Sequence, residues 1–503
     1  MHILGIDVGT TGTKAMVVDE AGNILSRGYA SYELIVPGPG KVEQDPRCWW
    51  SAAIQSVRQA CTGLDAREIA ALSVSTQGAS SVLVDAAGEP MGNAITWMDT
   101  RAEAETRELV SLLGEDAVYR KTGWPLSSSL DLAKLLWLVR NEPEMLAGAS
   151  KFISTLEYIN HVLVGRHIID PTNAAMRQLM SLQTLAWDDT LVAATGALPE
   201  LLPEIIPTGA FIGYLQKSAS ESLGLTGKVQ VFNGAHDQYC GCVGSDAVRP
   251  GEIMLSTGTA WVLMAVGSQA IFPTPVISPG PHIVPGLWGA LAALPSGGSA
   301  FDWYKNRFLN EDYAAIEARL GKNAHLGKES HVGKKAHNRD GLFFYPHLTG
   351  EYFPRINSDA RGTLVGLGLE HGKYDVAEAI MEGVVFQMRT ALDEYRKAGY
   401  AVETLKVNGG ALNSPYWTRL IANNIDCAVY ALSSKDAACV GAAAIAGVGV
   451  GLFPDYASAS LLLNRETLPV NGDPIERECQ TEKYGRYLQG WKIVSGVYTQ
   501  SPT

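Results

Sequence analysis

Three turns that contain glycine, two of them with threonine as well, are the features of this sequence best suited to chemistry on phosphate. Each follows a short apolar run, and they lie at Asp7–Thr13, Ser256–Thr259 and Asn408–Ala411. Turns of this kind expose backbone N–H groups, and glycine lets those groups approach phosphate oxygens closely. One such turn means little because glycine turns are common. Their repetition in one chain favours a protein that handles phosphate.

Two acidic residues could perform catalysis in such a protein. Asp237 follows the apolar run Val229–Phe232 and lies among small residues. Phosphoryl transfer to an alcohol needs a carboxylate that accepts the hydroxyl proton, and a second acid helps to position Mg²⁺. Asp7 suits the second role. An aspartate at a strand end is as often a turn cap, so position alone leaves catalysis and capping equally open for Asp237.

Other nucleotide and metal motifs are missing from the sequence. Thr226-Gly227-Lys228 is followed by Val229 and has no upstream glycine, which excludes a Walker-type loop. No GxGxxG pattern follows a strand and opens a helix as a dinucleotide site requires. Cys240 and Cys242 have no second cysteine pair or histidine pair to complete a zinc site. We interpret both as small buried residues.

The elements that position these groups can be predicted from the apolar pattern. The runs His2–Val8 and Ala15–Val18, joined by a glycine turn, predict a β-hairpin, and Ile253–Val266 repeats this pattern. We interpret the repeat as an internal duplication whose second domain begins near Asp246. Asp45-Pro46 predicts the start of a helix. Further strands are predicted at 69–75, 82–85, 94–97, 229–232 and 405–407, and helices at 100–113, 131–139, 417–424 and, packed inside a domain, 437–454.

Composition sets the broad class. The length of 503 residues predicts two or more domains. A formal net charge of −12 argues against nucleic acid or an anionic membrane as the main partner. The N-terminus has no basic stretch and Asp7 interrupts its apolar run, so we expect a soluble, cytoplasmic protein without a signal peptide. The polar segment 321–340, rich in Lys and His, is predicted to be a solvated loop, with a basic patch as the alternative.

Several further motifs, in order and nearly from end to end, are similar to those of one enzyme family. They are Gly5–Thr11, Thr96–Arg101, Lys134–Leu138, His236–Gln238, Ser256–Thr259, Leu348–Pro354, Gly366–His371, Met381–Val384 and Gly409–Ala411. The chain therefore resembles the FGGY carbohydrate kinases, which include xylulokinase, ribulokinase, gluconokinase and glycerol kinase.

The resemblance implies an α/β fold of two actin-like (ribonuclease-H-like) domains with a central cleft. It assigns residues 1–245 to an N-terminal, sugar-binding domain and residues 246–503 to a C-terminal, nucleotide-binding domain. It also implies ATP as the phosphoryl donor, Mg²⁺ as the metal cofactor and a small sugar as the other substrate. Homodimers are frequent in the family, so a homodimer is one expected assembly.

Roles for single residues come from the resemblance, position by position. It makes Asp237 the catalytic base and places Asp7 and Asp237 beside the metal. The residues assigned to the nucleotide and its phosphates are Thr10, Thr11, Lys14, Gly258, Thr259, Gly410, Ala411 and Ser414. The residues assigned to the sugar are Gln77, Gly78, Ala79, Ser129 and Gln238.

The sugar-site residues depart from the family pattern, which bears on the substrate. Glycerol kinases look like Gln-Arg-Glu where this chain has Gln77-Gly78-Ala79, and Ser129 replaces their pocket tyrosine, so glycerol is not expected. Xylulokinases look like Gln-Met-His-Gly here, so Gly78-Ala79 predicts a roomier, less polar floor. Gln238 also differs from their Asn, whereas Gly350–Pro354 is close to the pentulose-kinase version. A ketopentose such as xylulose is our first prediction; another ketose, a sugar acid or a polyol is the alternative.

Two functions outside sugar phosphorylation stay open at this point. Actin-like folds also host chaperones and scaffolds, so the chain could be a nucleotide-binding regulator that has lost catalysis. It could also be an ATPase for which the sugar is only an effector. The presence of both Asp7 and Asp237 favours the kinase.

Overall fold

The computed structural model describes residues 1–320, 341–432 and 436–498. The Lys- and His-rich segment 321–340, with its predicted loop or basic patch, lies outside the described residues. The chain divides into two compact units. Unit 1 comprises Met1–Pro250, Val266–Ala290 and Asp436–Arg465, and unit 2 comprises Gly251–Ala265, Leu291–Lys435 and Glu466–Thr503. The functional division at residues 245 and 246 stays a prediction.

Residues 1–250 contain fifteen strands and ten α-helices. The strands are β1 (His2–Val8), β2 (Gly12–Asp19), β3 (Ile24–Ser31), β4 (Ile35–Gly38), β5 (Lys41–Gln44), β6 (Ile69–Thr76), β7 (Ser81–Val84), β8 (Ala94–Ile95), β9 (Lys151–Ser154), β10 (Ile168–Ile169), β11 (Met180–Ser181), β12 (Ala186–Trp187), β13 (Glu204–Ile205), β14 (Phe211–Tyr214) and β15 (Gln230–His236). The helices are α1 (Pro46–Ala60), α2 (Glu103–Leu113), α3 (Glu115–Thr122), α4 (Asp131–Asn141), α5 (Pro143–Gly148), α6 (Thr155–Val164), α7 (Pro171–Met176), α8 (Asp189–Thr195), α9 (Lys217–Leu223) and α10 (Asp237–Gly244).

The described residues after 250 continue in the same mixed manner. The strands are β16 (Glu252–Thr257), β17 (Trp261–Gly267), β18 (Ser278–Pro281), β19 (Trp288–Leu294), β20 (Phe343–Tyr345), β21 (Thr363–Val365), β22 (Thr404–Gly409), β23 (Ala428–Ala431) and β24 (Leu468–Pro469). The helices are α11 (Gly298–Tyr304), α12 (Lys373–Ala398), α13 (Pro415–Asn423), α14 (Ala437–Gly449), α15 (Tyr456–Leu463) and α16 (Pro474–Val494). Residues 313–320 are also helical, and Lys305–Leu309 is a π-helical turn. Across all of these described residues, no helix is long and apolar enough to span a membrane.

The main sheet of unit 1 brings three parallel strands to one edge. Its order is β14-β15-β6-β1-β2-β3, and β1, β6 and β15 are parallel while β2 and β3 return antiparallel. The carboxyl ends of these parallel strands are Val8, Thr76 and His236. Ligands of open α/β sheets bind outside such ends, so this edge is where a site is expected.

The strand pattern occurs a second time in unit 2. There the order β17-β16-β22-β23-β24 forms part of a seven-stranded sheet, with β16 antiparallel to β17 and parallel to β22, and β22 parallel to β23. The edge strand β24 is antiparallel to β23, as β14 is to β15. The repeat agrees with the internal duplication predicted from the strand–turn–strand pattern.

Helix α14 packs against β1 and α10 without intervening side chains. A Cβ atom on Gly5 would lie 2.3 Å from the Cys439 carbonyl oxygen, and one on Gly441 would lie 2.0 Å from that of Cys240. Glycine at both positions therefore allows backbone to approach backbone. The prediction of a helix packed inside a domain is confirmed, although α14 ends at Gly449.

Candidate active site

Asp7 and Asp237 lie at the carboxyl edge of the unit 1 sheet. Asp7 is the penultimate residue of β1, and Asp237 begins α10 directly after β15. The pairing of β15 with β6 shifts in register beside Gly234, where a Cβ atom would lie 1.7 Å from the Val74 carbonyl oxygen. Such bulges redirect a strand near a site. The strand predicted to end at Phe232 therefore continues to His236.

The carboxylate of Asp237 is suited to accept a proton near neutral pH. Burial raises its pKa to about 6, although hydrogen bonds from Gln238 oppose the rise. His236 Nε2 lies 3.2 Å from Asp237 Oδ1. Burial lowers the pKa of His236 to about 4, so the ring next to the carboxylate is neutral. A base whose pKa lies near the working pH is the most effective.

Asp7 carries a second negative charge that the protein only partly neutralises. Burial, and next the charge of Asp237, raise its pKa to about 7. Lys14, its direct cross-strand partner, and the Ser75 hydroxyl, which donates to Oδ1 over 2.8 Å, act in the opposite direction. Two close carboxylates with raised pKa values form an environment that fits a divalent cation.

The metal-binding capacity of the described residues is limited to such a pair. No group of three or more His, Cys, Asp or Glu side chains among them could enclose an ion. Mg²⁺ commonly binds through one or two carboxylates and takes its other ligands from phosphates and water. Asp7 and Asp237 therefore fit Mg²⁺ better than they fit a metal enclosed by protein ligands alone.

Lys14 is held by an acid that the sequence did not reveal. Its Nζ lies 3.0 Å from Asp436 Oδ1, and Arg27 Nε lies 3.5 Å from Oδ2 of the same carboxylate. Burial alone would lower the pKa of Lys14, but the charges of Asp436 and Asp7 raise it, so the ammonium stays protonated. Asp436 is the N-cap residue of α14, which no local motif connects with Lys14.

The turn between β1 and β2 is fixed by side chains from other segments. The Gly9 N–H donates to the Gly12 carbonyl over 3.1 Å. Thr10 accepts one hydrogen bond at its hydroxyl from Trp97 Nε1 (3.0 Å) and one at its carbonyl from Gln44 Nε2 (2.5 Å). Thr11 is exposed. Trp97 therefore contacts Thr10, which is predicted to bind the nucleotide phosphates. The sequence predicts no role for the motif Thr96–Arg101 that contains Trp97.

Gln77 and Gly78 are tightly packed beside the two acids. Gln77 is buried, and its Nε2 donates to Gln44 Oε1 over 2.8 Å. A Cβ atom on Gly78 would lie 2.5 Å from Met176 Sδ and 2.7 Å from His236 Cδ2. The prediction of a roomier floor is therefore wrong at position 78, because the side chains of Met176 and His236 fill the space. The next residue, Ala79, has a left-handed backbone with φ of 50°.

The other two predicted sugar residues differ in their placement. Gln238 is the second residue of α10 and bonds to Asp237, so it belongs to the same cluster. Ser129 lies in the turn before α4, where its N–H donates to Ser127 Oγ over 3.2 Å. In the described part of the chain no hydrogen bond joins Ser129 to Gln77 or Gln238.

Unit 2 contains a cavity of about 750 Å³ that joins two of the predicted phosphate turns. Thr257 Oγ1 donates to the Asn408 carbonyl over 2.6 Å and accepts the Ala411 N–H over 3.0 Å. Four predicted nucleotide residues line the cavity, namely Gly258, Gly410, Ala411 and Ser414. Thr259, the fifth unit 2 residue that is predicted to bind the nucleotide, is exposed, and its carbonyl accepts the Ser299 N–H over 3.0 Å.

Most of the cavity wall is aromatic or aliphatic, with few polar groups. The aromatic lining residues are Trp261, Phe301, Tyr313 and Trp417. Glu317 accepts hydrogen bonds from the Ser414 hydroxyl and the Tyr416 N–H, both over 2.6 Å. The Nε1–H of Trp417 is buried and has no partner among the described residues. An apolar pocket with a few placed polar groups is typical of a site for a small molecule.

Comparison with known families and structures gives one consistent result. The domain described as "FGGY family of carbohydrate kinases, N-terminal domain" matches residues 2–244, and the corresponding C-terminal domain matches residues 253–450. A "Xylulose kinase" of Staphylococcus epidermidis is 26% identical, covering 99% of this chain and 97% of that protein. A "Gluconokinase" of Bacillus licheniformis is 27% identical, covering 90% of this chain and 89% of that protein.

A solved structure of ligand-bound xylulose kinase from Lactobacillus acidophilus is similar over the whole length. It is 26% identical, covers 99% of each chain and has a TM-score of 0.90. This likeness confirms the predicted α/β fold of two actin-like domains.

Proposed function

Because the chain belongs to the FGGY family of carbohydrate kinases, we propose that it phosphorylates a ketopentose such as xylulose with Asp237 as the general base. The observation that carries the proposal is the pair of Asp237 and neutral His236 at the carboxyl edge of the sheet. Burial gives the carboxylate a pKa of about 6, and the neutral imidazole lies 3.2 Å from it. Asp237 can then accept a hydroxyl proton near neutral pH.

The proposed reaction is an in-line displacement. The sugar hydroxyl oxygen forms a bond to the γ-phosphorus of ATP while the bond from that phosphorus to the bridging oxygen breaks, leaving ADP. Asp237 takes the hydroxyl proton, and the hydrogen bonds from Gln238 keep the carboxylate oriented. Catalysis by such enzymes is mostly positioning and charge stabilisation rather than covalent chemistry.

The other residues bind and orient the phosphates, the metal and the nucleoside. Asp7 and Asp237 would hold Mg²⁺, which supplies positive charge to the phosphate oxygens. Lys14, held by Asp436, adds a second positive charge, and the backbone of the Thr10–Thr11 turn adds N–H donors. The aromatic cavity of unit 2 takes the adenosine, with Gly258, Gly410, Ala411 and Ser414 along its wall.

The choice of a ketopentose rests on the relatives and on the charge of the predicted sugar site. Xylulose kinases and gluconokinases match the chain at 24–28% identity, so similarity alone does not decide between xylulose and gluconate. All the predicted sugar residues are uncharged, namely Gln77, Gly78, Ala79, Ser129 and Gln238. A sugar acid needs a cation for its carboxylate, so this set favours a neutral ketose, with gluconate as the second candidate.

The test is ADP release measured with D-xylulose, D-ribulose, D-gluconate, glycerol and no sugar, followed by identification of the phosphorylated product. We expect the highest kcat/KM with a ketopentose and little release without sugar. A higher kcat/KM with gluconate would replace the ketopentose by the second candidate. Release that is independent of sugar would show an ATPase, and no release with any sugar would favour a regulator without catalysis.

A further inference from the structure

A lysine ammonium is buried directly beneath the predicted sugar-binding turn. Lys134, in helix α4, is fully buried, with 0% of its surface exposed. Its Nζ donates to the carbonyls of Ala79 (2.7 Å), Thr96 (2.9 Å) and Ile95 (3.3 Å). One ammonium therefore joins two separate segments of the chain, the turn after β6 and the end of β8.

The hydrogen bonds to these carbonyls explain the burial of the Lys134 charge better than helix packing does. Lysine is almost never fully buried unless its charge is compensated, because desolvation of the ammonium is costly. No carboxylate among the described residues is within ion-pair distance of Lys134, so backbone carbonyls provide the direct contacts, while the charges of Asp131 and Asp99 favour the ammonium from a greater distance. Burial lowers its pKa to about 8, which leaves it protonated at neutral pH, and its three N–H groups match three acceptors.

The first of these carbonyls belongs to a residue with an unfavourable backbone conformation. Ala79 has φ of 50°, in the left-handed region that is unfavourable for a residue with a Cβ atom. Gly78, next to it, is enclosed by Met176 and His236. The hydrogen bond from Lys134 to the Ala79 carbonyl stabilises this conformation against relaxation to an ordinary turn.

Helix α4 holds the far side of the same turn as well. Asp131, one helical turn before Lys134, accepts a hydrogen bond from the Ser81 hydroxyl over 2.7 Å. Arg177 Nε donates to the same Asp131 oxygen over 2.5 Å, and its guanidinium lies 4.7 Å from the centre of the Phe152 ring. Lys134 thus projects from a helix that is itself fixed by a buried ion pair.

The second segment connects Lys134 with the predicted phosphate turn. Thr96, whose carbonyl accepts from Lys134, immediately precedes Trp97. The Trp97 indole donates to the Thr10 hydroxyl over 3.0 Å. The ammonium therefore fixes the sugar-binding turn relative to a side chain that reaches the predicted phosphate site.

We propose that Lys134 is a positioning residue that fixes the turn Gln77–Ser80 and thereby sets the affinity for the sugar. This inference rests on the proposed function, which assigns Gln77, Gly78 and Ala79 to the sugar. Loss of the ammonium leaves buried carbonyls without donors and lets Ala79 leave its left-handed conformation. The sugar-binding side chains then move, and displacements of about 1 Å can change rates by about 100-fold.

The test compares Lys134→Met with Leu135→Ala in the full-length chain. Leu135 is also fully buried on α4, but its side chain has no hydrogen-bond donor, so it controls for general loss of packing. The sugar is whichever compound gives the highest kcat/KM in the substrate panel. We expect Lys134→Met to raise KM for the sugar about tenfold or more while KM for ATP changes less than about twofold, and Leu135→Ala to leave both near wild type.

A rescue experiment separates positioning from stability. Glycine adopts the left-handed conformation without strain, so Ala79→Gly in the Lys134→Met background should recover part of the sugar affinity. If Lys134→Met does not fold, Lys134→Gln, whose amide keeps two donors, replaces it with the same expected split.

Each outcome of this test bears on one proposal or on both. An unchanged sugar KM in Lys134→Met, or an equal rise in Leu135→Ala, would overturn the positioning role while wild-type turnover would leave the kinase assignment intact. If Ala79→Gly restores nothing, fixation of the turn is wrong. If no sugar is phosphorylated by the wild type, the proposed function and this inference fail together.

Discussion

The two main sheets share a strand order but differ in the chemistry at equivalent positions. In unit 1 the penultimate residue of β1 is Asp7, which pairs with Lys14 on one side and Ser75 on the other. In unit 2 the penultimate residue of β16 is Ser256, which pairs with Val262 and Asn408. The first sheet therefore places ionised groups where the second places neutral ones.

This difference teaches how one strand pattern supports two tasks. The acids of unit 1 have raised pKa values, so their charges are under-compensated and gain stability from a cation or a proton. The cavity of unit 2 has mostly apolar walls, so the nucleotide proposed for it would bind mainly through burial of apolar surface. Substitutions in unit 1 should change reaction rates, whereas substitutions in unit 2 should change nucleotide affinity.

The largest expected effect is the loss of the proposed base. Asp237→Asn should lower kcat by about 1,000-fold, within the range of general-base contributions, because the amide cannot accept the hydroxyl proton. Binding of ATP, followed by thermal shift, should stay near wild type. Asp65→Asn, in an exposed surface turn, is the matched control and should keep full activity. Residual turnover above a few per cent of wild type would show that another group is the base.

The pH dependence gives the next largest effect. Asp237 must be deprotonated to accept a proton, and its pKa is about 6 in the free protein. The value of kcat/KM for the sugar should therefore fall about tenfold for each pH unit below that pKa. Circular dichroism over the same range would verify that the chain stays folded. A flat profile between pH 7 and pH 5 would contradict the assignment.

The charge of Asp237 should also destabilise the folded protein. Its removal should therefore raise stability while it lowers activity, and the effect on stability should be the smaller of the two. A folded-state pKa raised from 3.8 to about 6 means that the folded protein binds the proton more tightly, so stability falls as pH rises through this window. At pH 8 the charge is fully present, and Asp237→Asn should raise the free energy of unfolding by up to about 3 kcal/mol. Urea unfolding at pH 8 and near pH 4 measures this gain, which should largely disappear at the lower pH.

Asp65→Asn provides the control for stability too. Hydrogen bonds from Arg67 lower the pKa of Asp65 to about 2, so its charge is favourable in the folded state and its removal should give no gain. Equal stabilisation by both substitutions would indicate a general effect of net charge.

The parts of the fold that could be predicted are those encoded locally. The β1–β2 hairpin, the α1 start at Asp45-Pro46 and the acid at the end of β1 each depend on a few neighbouring residues. Turn chemistry, capping and apolar runs act over that range, and the structure has all of these features. Asp7 and Asp237 could be proposed together because each lies at or after an apolar run and phosphoryl transfer needs two acids.

The remaining parts depend on contacts between distant residues. Asp436 holds Lys14 from more than 400 positions away, and no local pattern connects them. The crowding at Gly78 comes from Met176 and His236, so the absence of a side chain was wrongly interpreted as free space. The aromatic wall of the cavity combines Trp261 with Trp417. Either tryptophan taken alone is typical of an ordinary core residue.

The smallest expected effect concerns the indole N–H of Trp417, which has no partner among the described residues. It tests whether the unit 2 cavity contributes to nucleotide affinity, as the comparison with unit 1 predicts. The Trp417 Nε1–H is buried in the unit 2 cavity without such a partner, whereas Trp491 Nε1 in the same unit donates to Glu351 over 2.6 Å. A hydrogen bond contributes about 0.5–1.5 kcal/mol net, so an acceptor on the nucleotide would make Trp417→Phe raise KM for ATP about threefold to tenfold. The sugar KM should hardly change, and stability without nucleotide should fall only by the packing that the smaller ring gives up against Trp261 and Phe301, because no existing hydrogen bond is lost. Trp491→Phe should do the reverse, lowering stability while KM for ATP stays constant. Equal effects of the two substitutions on KM for ATP would show that the indole N–H has no role in nucleotide binding.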